Sequence, residues 1–313
     1  MPTIFIRINM NSESKNPQSI DLREIINVLW NKKIKIILFS AFFSTFSIFY
    51  SLSIPDEYRA SAVLISSTLN ESSLNPSQPG LASGNFIGKS LGLSYLEGIS
   101  PETKIALEIM TSWGFLENYI SKYELSPSLI AAEGWDKSNN KIIFNEKVFN
   151  SASNSWVDSS YPKRYSSMAL YKKLKERINI TVNSDTAFIT VSVDFFSPFV
   201  AKDWLEKLIV EINDHMRKRN AEKAKTNLIY LQKAFSSSNE ISTRNVISSL
   251  IKEQINKQMV SEASPNYSFV YISKLMAPEK KFKPKRSIIV ILISLFGLFI
   301  TSVYFVTLSF YRK

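Results

Sequence analysis

The sequence contains no cysteine and only one histidine among its 313 residues. Without cysteine the chain forms no disulfide, and this composition suits an oxidising outer compartment without requiring one. The single histidine, His215, follows Asp214 and precedes three cations at residues 217–219, which is typical of a solvated helix face. With no second histidine and no thiolate, the sequence offers no ligand set for a metal ion.

A recognisable catalytic or nucleotide-binding motif is also missing. Residues 83–90, SGNFIGKS, are close to the phosphate-binding pattern G-x-x-x-x-G-K-[ST], but Ser83 replaces the first glycine and Gly84 comes one place late. We interpret this stretch as a flexible loop, since no strand pattern precedes it. No G-x-S-x-G motif occurs. Acidic residues are scattered along the chain, so the sequence does not exclude a glycosidase-like carboxylate pair, but no pattern indicates one. We therefore expect no catalytic residue, no cofactor and no metal.

Charge is missing from two long stretches, residues 36–54 with 19 uncharged residues and residues 287–311 with 25. A helix needs about 20 apolar residues to cross a bilayer core. Neither stretch shows the charged stripe of a surface helix, so two core helices of a soluble protein are the less favoured alternative. The first stretch differs from a cleaved signal, because a long segment precedes it and no Ala-x-Ala site follows. We predict two membrane-spanning helices.

The charges beside the first stretch predict its orientation. Lys32, Lys33 and Lys35 precede it, whereas Asp56 and Glu57 follow it. Lys and Arg near a first span mark the cytoplasmic side, so the N-terminus is predicted to be cytoplasmic. Nucleic acid is not an expected partner of the external part. The predicted segments are a cytoplasmic segment (1–35), the first span (36–54), an external domain (55–286), the second span (287–311) and a cytoplasmic tail (312–313).

Local patterns between the spans predict a mixture of helices and strands. Alternating apolar residues indicate a β-hairpin at 177–195, and Ser100 followed by Pro101 is a helix start. A short amphipathic helix is expected at 20–33, before the first span. The other expected elements are a strand at 57–67, a long loop at 68–100, helices to about residue 123, an irregular stretch at 133–162, a helix at 168–178 and a strand at 269–275.

A very long helix follows Ser197 and Pro198, with apolar positions that persist to about residue 235. At 1.5 Å per residue this helix would measure about 55 Å. After a break at residues 236–240, a second apolar pattern predicts a helix that runs back. A helix of this length cannot be buried within one domain. We therefore predict an α+β fold, in which two transmembrane helices flank an external α/β base domain with a long projecting helical hairpin.

Small residues line one face of each predicted span. Small residues let helices approach closely in lipid, although hydroxyl residues are also common in such helices. In the first span Phe42, Phe46 and Phe49 lie opposite them. The residues expected in a helix–helix contact are Ser40, Ser44, Ser47 and Ser51 in the first span and Ser294, Gly297 and Thr301 in the second.

The layout resembles the chain-length determinants, or Wzz-type polysaccharide co-polymerases, of bacterial inner membranes. Residues 20–30 read IDL-x2-I-I-x2-LW before the first span, an extended helix lies late in the external part, and Pro278 and Pro284 precede the second span. The family often has further prolines between these two, whereas residues 279–283 contain none. With no nucleotide loop and only two residues after Tyr311, the chain resembles the kinase-free type.

The resemblance implies a homo-oligomeric ring in the bacterial inner membrane, with most of the chain in the periplasm. Such a ring would work with a separate polymerase on a lipid-linked polysaccharide and set its length without making bonds itself. The expected product is the O-antigen of lipopolysaccharide. Regulation of capsule or exopolysaccharide length, or a role in export, is the alternative. A membrane sensor is less favoured, because the sequence leaves no room for a cytoplasmic output domain.

Five cations directly precede the second span: Lys280, Lys281, Lys283, Lys285 and Arg286. In the implied topology they lie at the outer headgroups, against the usual charge bias. They could bind anionic lipid or the pyrophosphate of a lipid-linked glycan through charge-assisted contacts. The alternative is an interfacial anchor, in which the side chains only fix the depth of the second span.

Overall fold

The computed structural model describes residues 26, 29–67, 99–158, 160, 165–264 and 266–311. The glycine-containing stretch at 83–90, most of the loop expected at 68–100, most of the amphipathic helix expected at 20–33 and the tail at 312–313 lie outside the described residues. The chain divides into two compact units. We call Met1–Ile54 with Lys285–Lys313 the apolar unit, and Pro55–Pro284 the central domain.

The apolar unit consists of two helices that pack on each other, α1 (Lys33–Ser53) and, at the other end of the chain, α8 (Arg286–Tyr311). Both are long and apolar enough to cross a membrane, over Lys33–Ser53 and Arg286–Ser309. Only 17% and 11% of their most apolar windows are buried inside the protein. A core helix of a soluble protein would be mostly covered, so the exposed apolar surface favours lipid as the surroundings of these helices.

The central domain is built on a four-stranded antiparallel sheet. Its strands are β1 (Tyr58–Ser66), β6 (Ile178–Val182), β7 (Ile189–Phe195) and β8 (Phe269–Tyr271), in the order β6-β7-β1-β8. The β-hairpin predicted at 177–195 is confirmed as β6 and β7. In β1 every second side chain is buried, as in Ala60, Ala62 and Leu64, which is the period of a strand with one covered face. The last strand is shorter than predicted, because only three residues pair with β1.

Short helices and hairpins complete the domain: α2 (Pro101–Met110), α3 (Trp113–Lys122), α4 (Ser126–Ile130), β2 (Ala132–Asp136), β3 (Lys141–Phe144), β4 (Phe149–Asn150), β5 (Ser155–Trp156) and α5 (Ser167–Lys175). The start of α2 is as predicted, since the Thr103 amide donates to Ser100 Oγ at 3.2 Å. The stretch predicted to be irregular, 133–162, instead contains two small hairpins. Asn140 and Asn154 supply the positive φ of their turns, 49° and 50°.

The long helix is α6 (Pro198–Ser237), with 40 residues, and the returning helix is α7 (Ile241–Ala263), with 23. The first half of α6 packs on the sheet and buries Trp204, Leu205, Leu208 and Ile212. Each fully buried apolar side chain of this size contributes about 1.5–3 kcal/mol. Beyond residue 216 only Ala224 of α6 is buried, and the rest of the helix packs against α7. The α+β fold with two long apolar helices and a helical hairpin is confirmed.

Candidate functional site

The pairing of the strands brings distant parts of the chain to one edge of the sheet. Tyr58 at the start of β1 pairs with Phe195 at the end of β7. Beside them the Glu57 amide donates to the Lys283 carbonyl at 2.9 Å, and the Phe282 amide donates to the Glu57 carbonyl at 2.8 Å. The central domain begins and ends a few residues away, at Pro55 and Pro284. We call this the junction edge, because both chain connections to the apolar helices leave the domain here.

Asp194 lies at the centre of the charges on the junction edge, and its side chain is only 5% exposed. Arg59 donates to both carboxylate oxygens, from Nε to Oδ1 at 2.6 Å and from Nη2 to Oδ2 at 2.7 Å. Lys283 Nζ donates to Oδ2 at 3.1 Å. Burial acts to raise the pKa of Asp194, but the hydrogen bonds from Arg59 and Lys283 outweigh it, so the pKa lies below its ordinary value.

A second pair on the same edge joins Arg177 and Glu57. Arg177 Nη1 lies 3.6 Å from Glu57 Oε1 and donates to the Asp194 carbonyl at 3.3 Å. Burial lowers the pKa of Arg177. The negative charges of Glu57 and Asp194 act to raise this pKa, but burial outweighs them. A guanidinium keeps its charge through such a change. The junction cluster, Glu57, Arg59, Arg177, Asp194 and Lys283, is therefore a set of paired charges. It connects β1, β7, the residue before β6 and the segment before Pro284.

The five cations predicted as a contact surface do not act alike. Lys283 belongs to the junction cluster, and Lys281 Nζ lies 3.2 Å from Asp56 Oδ1. Among the described residues, Lys281 and Lys283 are thus paired with carboxylates. One of these carboxylates, Asp56, lies three residues after the end of α1. Lys280 and Lys285 have exposed side chains and no ion pair among the described residues, whereas Arg286 is partly buried at the start of α8.

The two prolines of the predicted motif occupy different surroundings. Pro278 lies in the irregular segment after β8, and Pro284 follows the bridge to Glu57 through a cis peptide bond with Lys283. Between them Phe282 lies under the Arg59 guanidinium, whose carbon is 3.6 Å from the ring centroid. This segment is therefore held to β1 by backbone bonds, ion pairs and a cation–π contact.

The small residues predicted at a helix–helix contact are buried or partly buried in α1 and α8. Ser47 and Ser51 are buried, and Ser40, Ser44 and Ser294 are partly buried. A Cβ atom on Gly297 would lie 2.7 Å from Phe43 Cβ, so the backbone of α8 approaches α1 closely at this point. Thr301 Oγ1 donates to the Gly297 carbonyl at 2.6 Å. The large side chains of Phe42, Phe46 and Phe49 are exposed on other faces of α1.

Other candidate sites in the described residues offer little chemistry. No group of three or more His, Cys, Asp or Glu side chains that could hold a metal ion occurs in that part of the chain. His215 is exposed and packs edge-on against Phe115, with ring centroids 5.7 Å apart. A small cavity beside Thr103 is lined mainly by residues that carry a hydroxyl group. Two of these hydroxyl groups, Ser66 Oγ and Thr103 Oγ1, lie 2.6 Å apart and share a hydrogen bond.

Three comparisons with known proteins gave different results. No curated protein matches the sequence at a significant level. A solved structure described as a full-length bacterial polysaccharide co-polymerase is similar, with 12% sequence identity over 93% of this chain and 98% of that chain and a TM-score of 0.37. The family model "Wzz: Chain length determinant protein" matches residues 18–123. Over that part of the sequence the resemblance to the chain length determinant proteins is confirmed.

Proposed function

We propose that the protein is a polysaccharide co-polymerase that regulates the chain length of a bacterial surface polysaccharide, the O-antigen of lipopolysaccharide. The observation that carries the proposal is the family match at residues 18–123, which covers the first apolar helix and the start of the central domain. In this proposal the protein acts on the lipid-linked polysaccharide together with a separate O-antigen polymerase, and it makes no bond itself.

The proposed location is the inner membrane, with the bulk of the chain in the periplasm. The exposed apolar surfaces of α1 and α8 support membrane insertion, and the cations before residue 36 support a cytoplasmic N-terminus. The proposed segments are 1–35 in the cytoplasm, 36–54 and 287–311 in the membrane, 55–286 in the periplasm and 312–313 in the cytoplasm. Because α1 and α8 pack on each other, one copy supplies a pair of spans.

We propose that copies of the chain assemble side by side into a ring through the helical hairpin. Ile247 and Ile251 face α6, whereas several large apolar residues of α7 are exposed. We call the line through Ile247 and Ile251 the buried seam of α7. At 100° per residue, the exposed residues Val246 and Leu250 lie on one side of this seam, and Ile255 and Met259 lie on the other. Two apolar flanks on one helix suit a subunit with a neighbour on each side, and a repeated head-to-tail contact closes into a ring.

The absence of a catalytic role is supported by the chemistry of the junction cluster. Its carboxylates are paired with Arg or Lys, and the pKa of the buried member, Asp194, is lowered. A general acid needs a carboxyl group that stays protonated near neutral pH, which calls for the opposite shift. The cluster therefore suits a structural role, in which it holds the two chain connections together.

The proposal is tested by the length distribution of surface polysaccharide in cells with and without the gene. Lipopolysaccharide from both strains is separated on a gel that resolves single repeats. We expect the deletion strain to make O-antigen without a preferred length, and the reintroduced gene to restore that length. Loss of all polymer would instead indicate synthesis or export, and a changed capsule with an unchanged O-antigen ladder would place the activity on another polysaccharide.

A further inference from the structure

We propose that Phe199, held at the junction edge in an aromatic cluster with Trp135 and Tyr58, contacts the headgroup region of an anionic bilayer. This inference rests on the proposed membrane location. It adds a contact from parts of the central domain that are far in sequence from either apolar helix. The occupant is a lipid surface, and contact with a second protein chain is an outcome that the test distinguishes.

The three rings form a graded series from the core to the surface. Trp135 lies between the other two, with ring centroids 5.4 Å from Tyr58 and 6.2 Å from Phe199. Tyr58 is buried, Trp135 is partly buried, and Phe199 is 53% exposed. Trp135 Nε1 donates to Asn140 Oδ1 at 3.0 Å, which fixes the indole. The cluster thus presents one large apolar ring outward from a rigid support.

The position of Phe199 follows from the strand order. It is the second residue of α6, which begins directly after β7, and β7 ends beside Tyr58. Phe199 therefore lies at the end of the sheet where both chain connections leave the domain. Tyr58 is four residues beyond Ile54, and four residues of extended chain measure at most about 14 Å. If α1 is in the membrane, this end of the sheet is within that reach of the bilayer surface.

The charges around the cluster suit anionic headgroups. Lys137 Nζ lies 5.9 Å from the Tyr58 ring, and Lys280 and Lys285 are exposed near the same chain connections. Three acids of this region, Asp194, Glu57 and Asp56, each pair with a cation. Asp136 accepts bonds from uncharged donors of residues 138 and 139 and keeps its negative charge. Aromatic rings with neighbouring lysines are the composition that proteins place at a membrane interface.

Because the chain has no cysteine, a single labelled cysteine can test the contact in the full-length protein. Phe199→Cys carries a spin label, and the protein is reconstituted in vesicles of phosphatidylethanolamine with phosphatidylglycerol. Collisions are measured with oxygen, which concentrates in lipid, and with a nickel complex, which stays in water. We expect the ratio of oxygen to nickel collisions to be several-fold higher at position 199 than at the control Asn239→Cys, an exposed residue between α6 and α7.

Two other results at position 199 would overturn the inference. Equal ratios at 199 and 239 would place the ring in water, and protection from both reagents would indicate contact with protein. The role of the cations is tested by replacing phosphatidylglycerol with phosphatidylcholine. We expect the ratio of oxygen to nickel collisions at 199 to fall towards that of the control. An unchanged ratio would show that the contact does not depend on anionic headgroups.

A third label separates this inference from the proposed function. Phe46→Cys lies on an exposed face of α1 and reports whether that helix is in lipid. A lipid signal at 46 with a water signal at 199 would overturn the aromatic contact and leave the membrane location intact. A water signal at both positions would contradict the membrane location itself.

Discussion

Arg59 and Asp194 are cross-strand partners on β1 and β7, and both carboxylate oxygens of Asp194 accept bonds from the one guanidinium, at 2.6 and 2.7 Å. The pair lies where the chain enters the central domain from α1. Lys283 lies just before the chain continues to α8, and its Nζ is 3.1 Å from Asp194 Oδ2. The two connections are therefore fastened within the central domain. The same buried carboxylate pairs with one residue near each connection.

Removal of this carboxylate should destabilise the protein. Asp194→Ala leaves Arg59 and Lys283 without their partner, and breaking a buried pair costs about 3–5 kcal/mol. Because half of the Lys283 side chain is exposed, we expect the lower end, about 3 kcal/mol. The measurement is the free energy of unfolding of the full chain in detergent. The matched control is Asp203→Asn, whose ion pair with Lys207 is exposed and should contribute less than about 0.5 kcal/mol. Equal effects of the two variants would contradict the role of Asp194.

The stability of the protein should also depend on pH through Asp194. The pKa of Asp194 in the folded protein lies below its ordinary value of 3.8. The contribution of its ion pairs is therefore fully present above about pH 3.8 and is lost as the pH falls through the lower folded pKa. We expect the difference in Tm between the wild type and Asp194→Asn to be constant from neutral pH to about pH 4 and to shrink below it. A difference that does not change with pH would contradict the assignment.

The close approach of α1 and α8 at Gly297 gives a prediction about the apolar unit. Gly297→Ala places a methyl group 2.7 Å from Phe43 Cβ, which cannot move aside as the end of a flexible side chain can. We expect a loss of about 1–3 kcal/mol in stability in detergent, the usual cost of overpacking. Val303→Ile adds a single carbon at a side chain that is 45% exposed and should be nearly neutral. If both variants behave alike, the contact does not stabilise the helix pair.

The exposed apolar flanks of α7 predict an effect on assembly. Val246→Glu with Leu250→Glu introduces charges on one flank, and the mass of the purified complex should fall because the contact between neighbouring copies is lost. Asn256→Glu, on the side of α7 away from the buried seam, should leave the mass unchanged. Light scattering in detergent measures the mass, and circular dichroism checks that the helices remain. An unchanged mass in the double variant would rule out this flank as an interface.

Much of the fold is predictable from local patterns. The alternation of Ile178, Ile180 and Val182 indicates β6, and the serine and proline at residues 197 and 198 mark the start of α6. The two uncharged stretches likewise predict α1 and α8. In each of these cases the pattern lies within a single helix or strand, so it can be read without knowing the fold. The hairpins at residues 132–156 were missed because strands of two to five residues are too short to establish a period.

The junction cluster could not be predicted, because its members are distant in sequence. Lys283 and Asp194 are 89 residues apart, and the pairing of β1 with β7 and the bridge between Glu57 and Lys283 bring them together. The sequence therefore suggested one surface of five cations where the structure pairs two of them with carboxylates. A charged residue at the end of an otherwise apolar and hydroxyl-bearing strand, as Asp194 is in β7, was the one available signal.

The central claim is that an assembly of identical copies sets the length of the polysaccharide. Its most direct test is the O-antigen ladder of a deletion strain that carries the wild-type gene, the Val246→Glu and Leu250→Glu variant or the Asn256→Glu control at equal protein levels. We expect the wild type and the control to restore the preferred length, and the double variant to give polymer without one. Full restoration by a double variant that remains unassembled would contradict the claim.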